Sequence, residues 1–160
     1  MAVDFFLKID GVDGESVEAK HKGWLDIESW TWGESNAGTA HTGGGAAAGK
    51  VVMQDIHFVT RTSKASPKLL LACASGQHYK EAKLVGVQSG RVQDEFLAFT
   101  FNDVLVSSYQ TGGARGGDIV TDQVSLNFAK LKVEYRAQKA DGTFEAPVIA
   151  GWDLTANKKT

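Results

Sequence analysis

The residues with the most chemical promise by type and spacing lie in "HTGGGAAAGK", residues 41–50. Gly44, Gly49 and Lys50 reproduce the G-x-x-x-x-G-K core of a phosphate-binding loop, in which backbone amides cradle phosphates and the lysine supplies positive charge. The surroundings argue against that chemistry. Such a loop follows a buried apolar strand, opens a helix whose N-terminus faces the anion, and carries Ser or Thr after its lysine. Here polar "ESNAGTAHT" comes before it, Val51 follows Lys50, and "VVMQDIHFV" continues as a strand. The remaining use of so many small residues is contact. The stretch from about Gly38 to Gly49 reads as an exposed arm between two strands, able to lie flat across a neighbour.

The other reactive side chains make no catalytic constellation. His21, His41, His57 and His78 are too dispersed for a metal site, and the lone Cys73 permits neither an internal disulfide nor zinc-type spacing. Asp55 and His57, two apart in an alternating segment, share a face and read as a structural hydrogen-bonded pair, because no Ser or Cys nucleophile is visibly coupled to them. Nothing in their spacing selects Asp94 with Glu95, or Asp4 with Asp10, as a carboxylate pair for glycoside hydrolysis. Trp24, Trp30, Trp32 and Trp152 fit core or interface positions better than a sugar platform. "TGGARGGD", residues 111–118, is a second glycine-rich connection with Arg115 at its tip. The expectation is no catalytic residue, no metal and no cofactor.

The elements that would position these groups are mostly strands. "VDFFLKI" alternates Val3, Phe5, Leu7 and Ile9 against Asp4, Phe6 and Lys8. In "WLDIESWTW", Leu25 and Ile27 oppose Asp26 and Glu28, after which Trp30 and Trp32 fall on the face that had been acidic. Further strands read at "KVVMQDIHFVTR", "EAKLVGVQ", "EFLAFTFNDVLVSSYQ" and "VSLNFAKLKVEYRAQ", with a last one near "GWDLTA". The apolar phase shifts between Phe128 and Leu131, which predicts a bulge or bend of the kind that curls a sheet into a barrel. One helix is predicted over about 66–75, with Ser66 as its N-cap, Pro67 in its first turn and Gly76 as its C-cap. The fold class is therefore mainly β: one domain over residues 1–160, a compact β-barrel of two curled antiparallel sheets with one flanking helix and a glycine-rich loop at about 38–49.

Composition narrows the partners. Lys and Arg total 17 against 19 for Asp and Glu, a net charge of -2, with the positives scattered, so nucleic acid is not an expected partner. No stretch is long and apolar enough to insert in a membrane. Asp4 and Lys8 interrupt the apolar N-terminus, which lacks the core of a cleaved signal peptide. The plain reading is cytoplasmic, and export by a dedicated machine without a cleaved signal would leave the same sequence.

Several segments in order, "MAVDFFLKIDGVDGES", "ESWTWGES", "HTGGGAAAGKVVMQDIHFVTRTSKASPKLLLACASGQHYKEAKL", "VLVSSYQTGG", "SLNFAKLKVEY" and "GWDLTANK", resemble the hemolysin-coregulated protein (Hcp) family of type VI secretion. The resemblance implies a structural protein and no enzyme. Its expected form is a homohexamer, with rings stacked into the inner tube of a contractile, phage-tail-like device, exported on firing and carrying small effectors in the lumen. Sheath and spike components would be its other partners, and the protein would be cytoplasmic before assembly. On that reading Ser29 and Thr31, opposite the tryptophans, would face the lumen. Gly38, His41, Thr42, Gly43, Gly44, Gly45, Gly49 and Lys50 would serve ring stacking, with the Gly90 turn and the terminal "NKKT" at the rim. The chain ends at Thr160, just after the last strand signal, so the expectation is a plain tube subunit without a fused toxin domain. The alternative is a monomeric small barrel that binds an apolar ligand with the aromatics of "EFLAFTF".

Overall fold

A computed structural model describes residues 2–38, 48–89 and 94–160. The expected stacking residues His41, Thr42, Gly43, Gly44 and Gly45, and the rim residue Gly90, lie outside the described residues. The chain forms β1 (Val3–Ile9), β2 (Leu25–Thr31), β3 (Glu34–Gly38), β4 (Ala48–Met53), β5 (Ile56–Arg61), α1 (Ser66–Ser75), β6 (His78–Gln88), β7 (Glu95–Gly112), β8 (Thr121–Asn127), β9 (Lys130–Tyr135), β10 (Val148–Asp153) and β11 (Lys158–Lys159). Nine strands make one antiparallel sheet, in the order β11-β10-β9-β7-β6-β1-β2-β5-β8. A further pairing of β7 with β8 closes β1, β2, β5, β8, β7 and β6 into a six-stranded barrel. The fold is mainly β with one helix, as the alternation implies, and the curl is that of a single sheet closing on itself.

Closure depends on the length of β7. Its residues 97–102 pair with β9, and its residues 105–112 pair with β8. β8 and β9 are one run of chain interrupted at Phe128 and Ala129, where the Ala129 amide donates to the Asn102 carbonyl at 3.0 Å. That interruption is the phase shift legible in "VSLNFAKLKVEY". Before it the chain belongs to the barrel; after it, to an extension made of β9, β10 and β11. A bulge in β7 between Val106 and Ser108 lies near the switch and leaves both Ser107 and Ser108 exposed.

A second bulge, between Ile27 and Ser29, explains why the tryptophans change faces. The extra residue Glu28 lets Trp30 turn inward, edge-on to Phe5 at 5.7 Å and to Phe99 at 5.2 Å. The barrel centre is filled by Leu7, Leu25, Phe58, Leu84, Phe101 and Leu126, each at most 1% exposed. Phe101 also packs on Phe128 at 4.8 Å. Phe99 and Phe101 of "EFLAFTF" are thus engaged with other core rings.

Two local readings change. "KVVMQDIHFVTR" looks like one strand but is two, parted at Gln54 and Asp55. The Asp55 carboxylate accepts from the Ser107 hydroxyl at 2.6 Å and the Asn127 amide at 2.9 Å, fixing the turn from the separate β3–β4 hairpin into the barrel. The helix cap also moves: Ala65, not Ser66, is the N-cap. Ser66 lies one residue further on and is buried. Its Oγ accepts the Ser63 amide at 2.9 Å and donates to the buried carboxylate of Asp122, which also accepts the Thr62 hydroxyl at 2.9 Å. Asp122 sits in β8, so this serine ties the helix to the barrel wall and is unavailable to cap. At the other end Gly76 takes φ 68, the left-handed conformation that a side chain would strain.

Candidate functional site

The outward faces of four adjacent barrel strands build an unusual surface. Register places Ser29 opposite Val59, Val59 opposite Gln123, and Gln123 opposite Gln110. One step along, Thr31, His57, Ser125 and Ser108 follow in the same way. Two rows therefore cross β2, β5, β8 and β7 with no formal charge other than what His57 can carry. The side chains are short or uncharged, and none of the eight is buried. The Nδ1 of His57 is 3.1 Å from the Ser125 hydroxyl, a pair that flattens the wall. Ser29 and Thr31 are both exposed and stand at the edge of these rows. Their partners on β5, β8 and β7 were not singled out from the sequence, because strand register between distant segments carries no local signal.

Charge returns at one end of the wall. Arg61 Nε donates to Glu28 at 2.7 Å, and the Asp26 carboxyl stands nearby. Burial pushes Asp26 above the usual carboxylate range, with Glu28 and Asp4 adding to the effect and Arg61 opposing it. The Arg61 guanidinium is pushed up by its hydrogen bond and charge pairing with Glu28.

A second surface lies where the barrel's closure leaves strands outside. Among the described residues the first part of β10 pairs with β9 on one side only, since β11 pairs with Trp152 and Asp153 and Thr160 adds a bond to Gly151. Val148 and Ile149 on that open edge are 74% and 54% exposed, and Tyr135, opposite Val148, is exposed beside them. The β3–β4 hairpin pairs only with itself among the described residues and exposes Val52. Gly38, Gly49 and Lys50 all belong to this hairpin. A groove of about 750 Å³ runs between it and the extension, lined among others by Trp32, Met53, Leu131 and Trp152. The indole N–H groups of both tryptophans are buried without a hydrogen-bond partner among the described residues.

The remaining reactive groups are dispersed or engaged. Asp55 and His57 do not form the pair expected of them, since Asp55 lies just before β5 and bonds to Ser107 and Asn127, while His57 bonds to Ser125. Asp94 pairs with Lys20 at 3.1 Å, and Glu95 with His21 at 2.9 Å. His78 and Asp103 form an exposed pair at 3.0 Å. No group of three or more His, Cys, Asp or Glu among the described residues could hold a metal ion. Among the described residues the arrangement offers surfaces for contact and no assembled nucleophile, base and oxyanion donor.

The fold defines the class: a closed antiparallel β-barrel with a flanking helix and a projecting hairpin. The family model described as type VI secretion system effector, Hcp, matches residues 6–135. The chain is 46% identical over 159 residues to protein hcp1 of Pseudomonas aeruginosa, covering 98% of both. Among solved structures, one of a type six secretion system protein superposes with a TM-score of 0.95 at 33% identity, covering 99% of this chain and all of that one. Hcp1 from Salmonella typhimurium superposes at 0.82 with 36% identity over the whole of both chains. The chain therefore belongs to the Hcp family of type VI secretion proteins, a family of secreted, structural tube proteins and not of enzymes. No helix among the described residues is long and apolar enough to cross a membrane.

Proposed function

We propose that the protein is a tube subunit that assembles into hexameric rings, which stack, and that the polar wall centred on Ser29, Thr31, His57 and Ser125 faces the lumen. The observation that carries the reading is the open strand edge of β10, where Val148, Ile149 and Tyr135 stand exposed beside a barrel whose own six strands close on themselves among the described residues. Exposed apolar edges are a liability unless they are covered. A ring needs two different patches that meet head to tail, and the β10 edge and the β3–β4 hairpin are two such patches. A wall of mostly polar, uncharged side chains suits the lumen, because it offers varied small effectors a surface without a strong charge of either sign. The arm over about 38–49, with Lys50 in β4 at its foot, is the ring-to-ring contact on this reading, and the Gly90 turn and "NKKT" lie at the rim. The sheath and spike of the secretion apparatus are the outer partners, and the protein is cytoplasmic until it is exported without a cleaved signal.

The test is the solution mass of the purified protein by light scattering over a dilution series. A mass of about six chains that persists on dilution is expected for a closed ring. A monomer at every concentration would remove the ring. Removal of residues 39–47 should then leave the ring mass unchanged while abolishing longer stacks in electron micrographs.

A further inference from the structure

Residues 10–24 join β1 to β2 and pack on the outer face of β1, with Glu15 to Glu18 bordering the recess at the charged end of the polar wall. Under them Phe6, Val85, Val87 and Ala98 form a second, smaller core with Trp24 packed against it. Gly14 is required there, because a Cβ at that position would come within 2.4 Å of the Trp24 carbonyl oxygen. At the centre is His21, 1% exposed. Its ring lies flat on Phe6, with centroids 4.8 Å apart and planes at 2°, and meets Trp24 edge-on at 4.8 Å. Nδ1 is hydrogen-bonded to the Glu18 carboxylate, and Nε2 is 2.9 Å from Glu95 Oε1 at the start of β7.

A neutral imidazole has a single N–H and can donate to one of those carboxylates; only the imidazolium serves both. We propose that His21 is a proton-operated latch, which in its doubly protonated form bridges Glu18 and Glu95 and holds the 10–24 segment on the barrel. The charges around it agree. On the segment itself stand Glu18 and Lys20, the latter paired with Asp94. From β7 comes Glu95, and from β6 Lys83, whose Nζ is 3.6 Å from Glu95 Oε2. Asp4 and Lys8 flank Phe6 on the outward side of β1, Asp26 lies in the recess beside Glu18, and Glu134 of β9 and Arg136 just after it line the recess that Lys20 and Glu95 share. In the inner group two carboxylates, Glu18 and Glu95, balance two cations, Lys83 and protonated His21. Loss of the imidazolium proton leaves one of the two carboxylates facing a lone pair. Burial pushes the Glu18 carboxyl up, but the hydrogen bonds from His21 and the Lys20 amide, with the histidine's charge, outweigh that and hold it below the usual carboxylate range. An imidazole that has given up its second proton keeps only one of the two carboxylate bonds, so docking weakens as pH rises.

The experiment uses the intact protein labelled with 15N at histidine, with His41, His57 and His78 replaced in a companion sample to assign the signal. At about pH 6 both ring nitrogens of His21 should resonate as protonated, and at about pH 9 one should not. Amide hydrogen exchange supplies the second readout through the segment's own backbone bonds, Gly23 to Ser16 and Trp24 to His21 among them. Protection of residues 16–24, corrected for intrinsic exchange, should fall about tenfold or more between those pH values. In Glu95→Gln, which removes one acceptor charge and keeps the second core, protection should already be reduced at the lower pH and change less with pH. A His21 ring with a single N–H at about pH 6, or equal protection of residues 16–24 at both pH values, would overturn the latch.

Discussion

The barrel and the β9–β10–β11 extension share strand β7 and differ in what becomes of their edges. In the barrel β7 meets β8, the sheet closes, and side chains such as Phe58 and Phe101 are wholly removed from water. In the extension β7 meets β9, the sheet runs out past β10, and Val148 and Ile149 remain in solvent. The difference separates two jobs. Burial within one chain fixes the fold, and the surface that closure leaves over is free to be buried against another chain.

The comparison breaks hardest at the barrel centre. Phe101→Ala should cost about 3–5 kcal/mol, from lost burial and the cavity left beside Phe128, and a urea titration should show the whole chain unfolding earlier in one step. Asp122→Ala strands the Ser66 and Thr62 hydroxyls between helix and wall. A loss of about 1–3 kcal/mol is expected, with faster amide exchange in α1 than in the remaining strands. Gly76→Ala places a side chain at φ 68 and should cost roughly 1 kcal/mol by the same titration. The extension responds to acid instead. The Asp153 carboxyl is held below its ordinary value, first by the Ala156 amide, with Lys130 assisting against burial. A depressed carboxyl contributes its stabilisation above the ordinary aspartate range and loses it as pH falls through the lowered value. Acidification below about pH 4 should therefore speed exchange of the Ala156 amide while Phe101 and its neighbours stay protected.

Alternation made much of the barrel readable. The pattern in "VDFFLKI" coincides with β1, Val3–Ile9, because Leu7 and Ile9 on one face enter the barrel core while Asp4 and Lys8 on the other stay exposed. The helix was legible from Pro67, its helix-favouring interior and Gly76, yet its serine was misread as a cap, since the partner that claims it, Asp122, lies 56 residues away. β3 was invisible because all five of its residues are exposed, leaving no alternation to detect. The polar wall and the His21 latch were hidden for a common reason. Each is made of residues from distant segments, such as His21 and Glu95, 74 positions apart, that only register and packing bring together.

The most direct test of the division between closed barrel and open edge is a double substitution on that edge, Val148→Lys with Ile149→Lys, followed by light scattering and near-ultraviolet circular dichroism on one sample. Exposed positions tolerate such changes within about 0.5 kcal/mol, so the aromatic signal of the packed Trp30, Phe5 and Phe99 cluster should persist. The account predicts a folded barrel whose mass falls to a single chain. A ring of unchanged mass with the same folded signal would contradict it, and would move the subunit contact away from β10.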